Sequence, residues 1–218
     1  MTAATLAQTI GRYYEQAHSD PDGRERSWDH CYGFFREHCR DLAQVKETAA
    51  LHLGFYLASW GMYRPSGFLW RHTYTAHIPV ICTLASPKFS ELLHHDIGSQ
   101  DRDVELAPTI IELVQSVKVA YQRFGNASDL LATKVLLGTV GCLPACDRYV
   151  KNGFAAQKLL FSRLDRGSVD RILQFCVQNR MELAEQQSKI DDCGGPRYPL
   201  MKLVDMHFWQ IGYELEST

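Results

Sequence analysis

Tyr198-Pro199-Leu200-Met201-Lys202-Leu203-Val204-Asp205-Met206-His207-Phe208-Trp209-Gln210-Ile211-Gly212 reads as a closing helix. It is mostly apolar, yet one acid, Asp205, stands in its middle, flanked by Val204, Met206 and Phe208. A carboxylate in such surroundings must be paired, hydrogen-bonded or neutralised, because an unpaired buried charge is costly. It either braces or caps a terminal helix, as Asp commonly does at a first turn, or it is held there for chemistry. A second stretch, residues 134–149, bears on the choice.

The rest of the chain repeats the helical period. Leu6, Ile10, Tyr13, Tyr14 and Ala17 give a helix over 3–18, stopped by Ser19-Asp20-Pro21-Asp22-Gly23. Ser27 reads as the cap of a helix over 28–38, with Asp29 in its first turn. Residues 46–63 are apolar on most sides, as expected of a buried helix. Trp60-Gly61-Met62-Tyr63-Arg64-Pro65-Ser66-Gly67 breaks it, and Ser66 is placed to cap a short helix through Phe68, Leu69 and Trp70. Short helices surround Pro79 and Pro87, and longer ones cover 106–124 and 128–138, the latter capped by Ser128. Two more are expected over 155–163 and 168–187, with Ser168 as cap. No strand alternation of useful length occurs. The fold class is all-α, a compact helical protein of nine to ten helices. The chain forms a single domain over 1–218, with an N-terminal lobe of about 1–125 and a hairpin lobe of about 126–218 sharing a cleft.

Composition bounds the function. A chain of 218 residues with 45% hydrophobic and 22% charged residues is an ordinary globular protein. The net charge of −2 gives no basic excess overall, so nucleic-acid binding would need a local basic rim. No uncharged run approaches the ~18 residues of a membrane span, and Gln8, Arg12, Glu15 and His18 interrupt any secretory h-region. Seven cysteines, an odd number without scaffold spacing, read as reduced thiols of a cytoplasmic protein. Neither Cys142 and Cys146 nor the His30, Cys31, His38 and Cys39 group has zinc spacing. His94-His95-Asp96 reads as a solvated helix end, because adjacent helical side chains point about 100° apart. No metal and no organic cofactor is expected.

The chemistry-bearing stretch is Leu137-Gly138-Thr139-Val140-Gly141-Cys142-Leu143-Pro144-Ala145-Cys146-Asp147-Arg148-Tyr149-Val150. It reads as helix, two-glycine turn, then a helix with Pro144 in its first turn. Such a hairpin would expose amides at a helix N-terminus, where a phosphate binds. It is similar to the hairpin of the helix–hairpin–helix DNA glycosylases, in which leucine, glycine, valine, glycine and alanine recur in this order. Lys202-Leu203-Val204-Asp205-Met206-His207-Phe208-Trp209-Gln210-Ile211 resembles the second half of that family's signature, with the 8-oxoguanine branch nearest.

The resemblance implies a monofunctional DNA glycosylase, with Asp205 on the family's catalytic aspartate. Gly138, Thr139, Val140, Gly141 and Cys142 fall on the phosphate-holding hairpin. The nucleophilic lysine of bifunctional members would fall near Leu143 and is absent, which implies hydrolysis without Schiff-base lyase chemistry. The chain departs from the family in distance: sixty-four positions separate Gly141 from Asp205, so a helical pair must be inserted. Lys134, Arg148, Lys151 and Lys202 are candidates for the basic rim. Trp60, Tyr63, Arg64, His207 and Trp209 are candidates for the pocket of a flipped base. The implied partner is duplex DNA carrying a flipped modified base, with no membrane and no obligate protein partner. The base is either a damaged purine of repair or a bulky modified pyrimidine of phage DNA, such as glucosylated hydroxymethylcytosine. The competing class is a non-catalytic helical module in which Asp205 is structural.

Overall fold

The computed structural model describes residues 4–159, 161 and 163–217. Met1–Ala3, Leu160, Ser162 and Thr218 lie outside the described residues, and with them parts of the helices expected over 3–18 and 155–163. The described residues are all-α, with no strand and with eleven α-helices rather than nine or ten. These are α1 (Leu6–Ala17), α2 (Ser27–Glu37), α3 (Lys46–Ser59), α4 (Ile78–Leu84), α5 (Ser90–His94), α6 (Ala107–Tyr121), α7 (Asp129–Thr139), α8 (Arg148–Ala156), α9 (Arg166–Gln178), α10 (Arg180–Asp191) and α11 (Leu200–Glu216).

Local chemistry explains most boundaries. Thr5 and Gln8 form a reciprocal capping box at α1, and the Ser128 hydroxyl accepts from the Leu131 amide at α7. Four expectations need correction. Ser66 does not cap the segment through Trp70, which is a 3-10 turn over Phe68–Arg71 preceded by Gly67 and without a side-chain cap. Ser27 does not cap α2: the helix grows directly out of a 3-10 turn over Arg24–Arg26, and the Ser27 hydroxyl is buried without a partner among the described residues. The helix expected over 168–187 is two helices, α9 and α10, broken at Asn179, whose side chain donates back to the Phe175 carbonyl. Its cap is Asp165, in a capping box with Ser168. In place of the helix expected over 155–163, α8 ends at Ala156. Lys158 takes a left-handed φ of 59°, and the Leu159 amide donates to the Phe154 carbonyl, a C-terminal closure of the Schellman type.

Helix α11 is the axis of the molecule. Asp96 caps it from afar, accepting from the Leu200 amide at 2.9 Å, so the His94-His95-Asp96 segment is a structural clamp rather than a free helix end. Its face is buried from Leu200 to Phe208. Helix α1 packs along one side, where Thr9 and His207 share a hydrogen bond of 2.6 Å and Tyr13 meets Trp209 edge-on. Helix α8 packs along another, and there glycines permit close approach: a Cβ on Gly153 would overlap the Phe208 backbone, and one on Gly212 the Tyr149 backbone. Helices α2 and α3 pack on α7, and a single hydrophobic core runs from Leu6 to Phe208 across the expected lobe boundary. Helix α3 is less enclosed than its composition predicts. Ala49, Ala50, Leu53, Tyr56 and Leu57 are buried, while Leu51 and Phe55 face outward.

Candidate active site

The turn after α7 brings the two chemistry-bearing stretches together. Gly141 adopts a φ of 71°, open to glycine, and packs against Pro199 and Tyr32, which seats the following residues beside α11. The Ala145 amide then donates to Asp205 Oδ1 at 2.9 Å. Asp205 Oδ2 lies 3.4 Å from Lys202 Nζ, one turn earlier on the same helix face. Lys202 also donates to the Tyr13 hydroxyl at 3.2 Å and stands over the rings of Tyr13 and Trp28, at 4.8 and 5.0 Å. Asp205 is 4% exposed and Lys202 3%. An ion pair this deep needs further partners, and here the Ala145 amide serves the acid while the Tyr13 hydroxyl and two ring faces serve the ammonium.

Burial pushes the Asp205 carboxyl above the ordinary carboxylate value, against the opposing pull of Lys202 and the Ala145 amide. Burial alone would lower the Lys202 ammonium, but Tyr13 and Asp205 hold it above its ordinary value. The pair therefore combines a fixed cation with a carboxylate readier than usual to take a proton.

A second pair sits nearby. Asp147 caps α8 with Oδ1, accepting from the Val150 amide at 3.0 Å, while Oδ2 lies 3.4 Å from Lys134 Nζ. Lys134 in turn lies 4.8 Å over the Trp60 ring. Both pairs, with Trp28, Tyr56, Trp60 and Trp209, line one small chamber of about 10 Å³, room for roughly one water. Trp60, Lys134, Asp147 and Trp209 also line an outer groove of about 400 Å³, whose other walls include the exposed Arg24, Arg64 and Arg148. The arrangement is a basic, aromatic groove above a narrow chamber with Asp205 in its wall.

The sequence-derived candidates divide sharply against this geometry. Asp205, Trp60, Trp209 and Lys134 line the chamber, and Arg64 and Arg148 line the groove. The phosphate-holding hairpin is corrected. Gly138 is inside α7, pressed on Tyr56, and every residue from Leu131 to Cys146 is buried. The Val140 and Gly141 amides both donate to the Leu136 carbonyl, and the Thr139 hydroxyl to the Val135 carbonyl. Cys142 is enclosed, its thiol pushed up to about 12 by burial. Helix α8 starts at Arg148, so Pro144 precedes it instead of opening it. With the whole turn buried and the Val140, Gly141, Ala145 and Cys146 amides bonded inside the protein, a phosphate does not reach it.

His207 is also corrected. It lies two positions past Asp205, about 200° round the helix, and its ring nitrogens meet Thr9 and Gln157, at 2.6 and 3.2 Å. Burial lowers it to about 4. Tyr63 turns its hydroxyl to His77 at 2.7 Å and lines neither the chamber nor the groove. Lys202 is no rim lysine but the buried partner of Asp205, and Lys151 is exposed over the Phe161 ring instead. Sequence reading missed Trp28, Tyr13, Tyr56 and Arg24, whose only signals were aromatic or basic character far away along the chain. No family model, curated protein or solved structure matches this chain.

Proposed function

We propose that the chain is a monofunctional DNA glycosylase, hydrolysing the N-glycosidic bond of a modified base flipped from duplex DNA and leaving an abasic site. The observation that carries this reading is a carboxylate, Asp205, held beside a fixed cation in the wall of a nearly dry chamber, beneath a groove edged by three exposed arginines. Arg24, Arg64 and Arg148 meet the phosphates in place of the hairpin amides. The target nucleotide leaves the stack at a cost of a few kcal/mol. It enters as Trp60, Trp209 and the Lys134–Asp147 pair move aside, since the closed chamber holds only about one water.

As the glycosidic bond lengthens, its electron pair leaves with the base and positive charge develops on the sugar. Asp205 stabilises that charge and takes the proton of the water that adds to C1′; the departing base is protonated in turn. Lys202, held as an ammonium by Tyr13 and Asp205, has no lone pair for attack on C1′. Hydrolysis without lyase chemistry is the consequence. Because the free volume lies in the groove outside the chamber, the geometry favours a base whose bulk projects outward. A glucosylated hydroxymethylcytosine of phage DNA, excised in antiviral defence, is such a base. Oxidised or alkylated purines are the alternative substrates.

The test is mass spectrometry of free bases released from damaged-purine duplexes and from phage DNA carrying glucosylated pyrimidines. Wild-type protein should release a base, and Asp205→Asn should bind the same DNA yet release it at least roughly 100-fold more slowly, the scale of losing one preorganised electrostatic contact. The engagement of both Asp205 oxygens, one by the Ala145 amide and one by Lys202, favours one second reading, a non-catalytic nucleic-acid-binding module. DNA binding with no base released from any substrate by either protein would select it and sink the enzyme.

A further inference from the structure

Both cationic pairs border the chamber, but their donors are used differently. The Lys202 ammonium has Tyr13, Asp205 and two ring faces. Lys134 is as deeply buried, yet among the described residues its acceptor is Asp147 alone, at a long 3.4 Å. An ammonium carries three donors. Beneath it, 4.8 Å away, is the ring of Trp60, and the Trp60 indole Nε1 is itself buried without an acceptor among the described residues. Buried donors without acceptors are rare and mark places that something else completes. Both residues line the chamber and the groove alike, at the passage between them.

Resting on the glycosylase reading, we propose that Lys134 and the Trp60 indole N–H form the base-reading element of the site, a pair of donors that receives an exocyclic oxygen of the flipped base. The occupant is an oxo-base, and a ring without an exocyclic oxygen leaves the donors unfilled. A phosphate is the lesser fit, because Lys134 and the Trp60 Nε1 are buried, whereas the arginines of the groove, Arg24 over the Trp60 ring among them, are exposed to solvent. In the free protein the chamber has room for about one water, which the base oxygen replaces. Asp147 positions Lys134, and its other oxygen, fixed on the Val150 amide, ties that cation to the start of α8.

The experiment uses the full chain, ¹⁵N-labelled and saturated with a duplex carrying one tetrahydrofuran abasic site. Free uracil and hypoxanthine, and the bare rings pyrimidine and purine, are titrated in while the indole N–H signals are followed. The Trp60 signal is assigned by its loss in Trp60→Phe. It should move downfield with uracil or hypoxanthine and stay in place with the bare rings. No movement with any ring, or equal movement with bare and oxo rings, overturns the proposal. In parallel, kcat/KM for base release should fall about 10-fold or more in Trp60→Phe, the scale of leaving one buried hydrogen-bonding group unpaired. Lys134→Gln, which keeps a donor, should retain more than Lys134→Met. Base release that needs Asp205 but is unchanged in Trp60→Phe removes the donor pair and leaves the glycosylase standing. A Trp60 signal that answers the oxo rings in a protein releasing no base removes the glycosylase and leaves the donor pair.

Discussion

The Ala145 amide and the Asp205 carboxylate meet at 2.9 Å across sixty positions of sequence. That bond fixes one carboxylate oxygen and leaves Lys202 to neutralise the other, 3.4 Å away. Stability and chemistry pull this pair in opposite directions, because burying two charges is costly even when they compensate each other.

The first prediction separates the two. Asp205→Asn keeps an acceptor for Ala145 but strands the Lys202 ammonium, and should destabilise by roughly 3–5 kcal/mol, the cost of breaking a buried pair. The double variant Lys202→Met/Asp205→Asn, which removes the stranded ammonium and keeps the acceptor for the Ala145 amide, should recover most of that loss in urea while releasing no base. A double variant as unstable as the single one would show that the pair earns its place through the fold alone.

How far the site was legible follows from the same residues. Asp205 announced itself because it interrupts an apolar helix, a local signal. Lys202 three positions earlier shares its face, so the pair was visible in principle, and His207 was excluded in principle by its rotation of about 200°. The Ser128 cap and the helical periods were local and could be read. Burial of the two-glycine turn was not, because Tyr56, Tyr32 and Pro199, which close over Gly138 and Gly141, come from distant segments. The same holds for Tyr13 and Trp28 around Lys202. A glycine turn looks alike in sequence whether it faces water or a tyrosine ring.

Two buried histidines make stability depend on pH. His77 bridges the hydroxyls of Tyr63 and Tyr121, and His207 bridges Thr9 and Gln157; burial lowers each to about 4. In the unfolded chain both titrate near the ordinary ~6.5. Above that value both states are neutral and the histidines contribute nothing. As pH falls from about 6.5 towards 4 the unfolded chain binds protons that the folded one refuses, so stability is lost, by about 3 kcal/mol for each histidine. Urea titrations across that window should show the loss. His207→Gln should flatten the curve; a wild-type curve already flat over this range would contradict the neutral assignment.

DNA binding should depend on the rim arginines unequally. Arg64 is exposed and free to meet a phosphate, whereas Arg148 is paired with Glu216 at 2.8 Å. Anisotropy measured between about 50 and 200 mM salt should show Arg64→Ala reducing the slope of log affinity against log salt by about 1, the release of one phosphate's counterion. Arg148→Ala should reduce it less. Glu216→Gln, which frees Arg148, should raise affinity. Equal slopes for wild type and Arg64→Ala would remove this groove from the DNA path.

The crossing of α8 and α11 sets the distance between the two carboxylates of the site. Asp147 caps the first turn of α8, and Asp205 stands in the second turn of α11. Gly153 rests on the Phe208 backbone and Gly212 on the Tyr149 backbone, so neither place has room for a methyl group. The neighbours are backbone atoms and cannot rotate away, so Gly153→Ala or Gly212→Ala must push the helices apart, at a cost of roughly 1–3 kcal/mol for overpacking. Alanine also raises helix propensity over glycine by up to about 1 kcal/mol, so a net gain in midpoint would mean that the contact is loose. The expected result is the reverse, a lower urea midpoint. Base release should fall further than stability alone accounts for when measured well below that midpoint, because Asp147 with its Lys134 withdraws from Asp205 as the crossing widens.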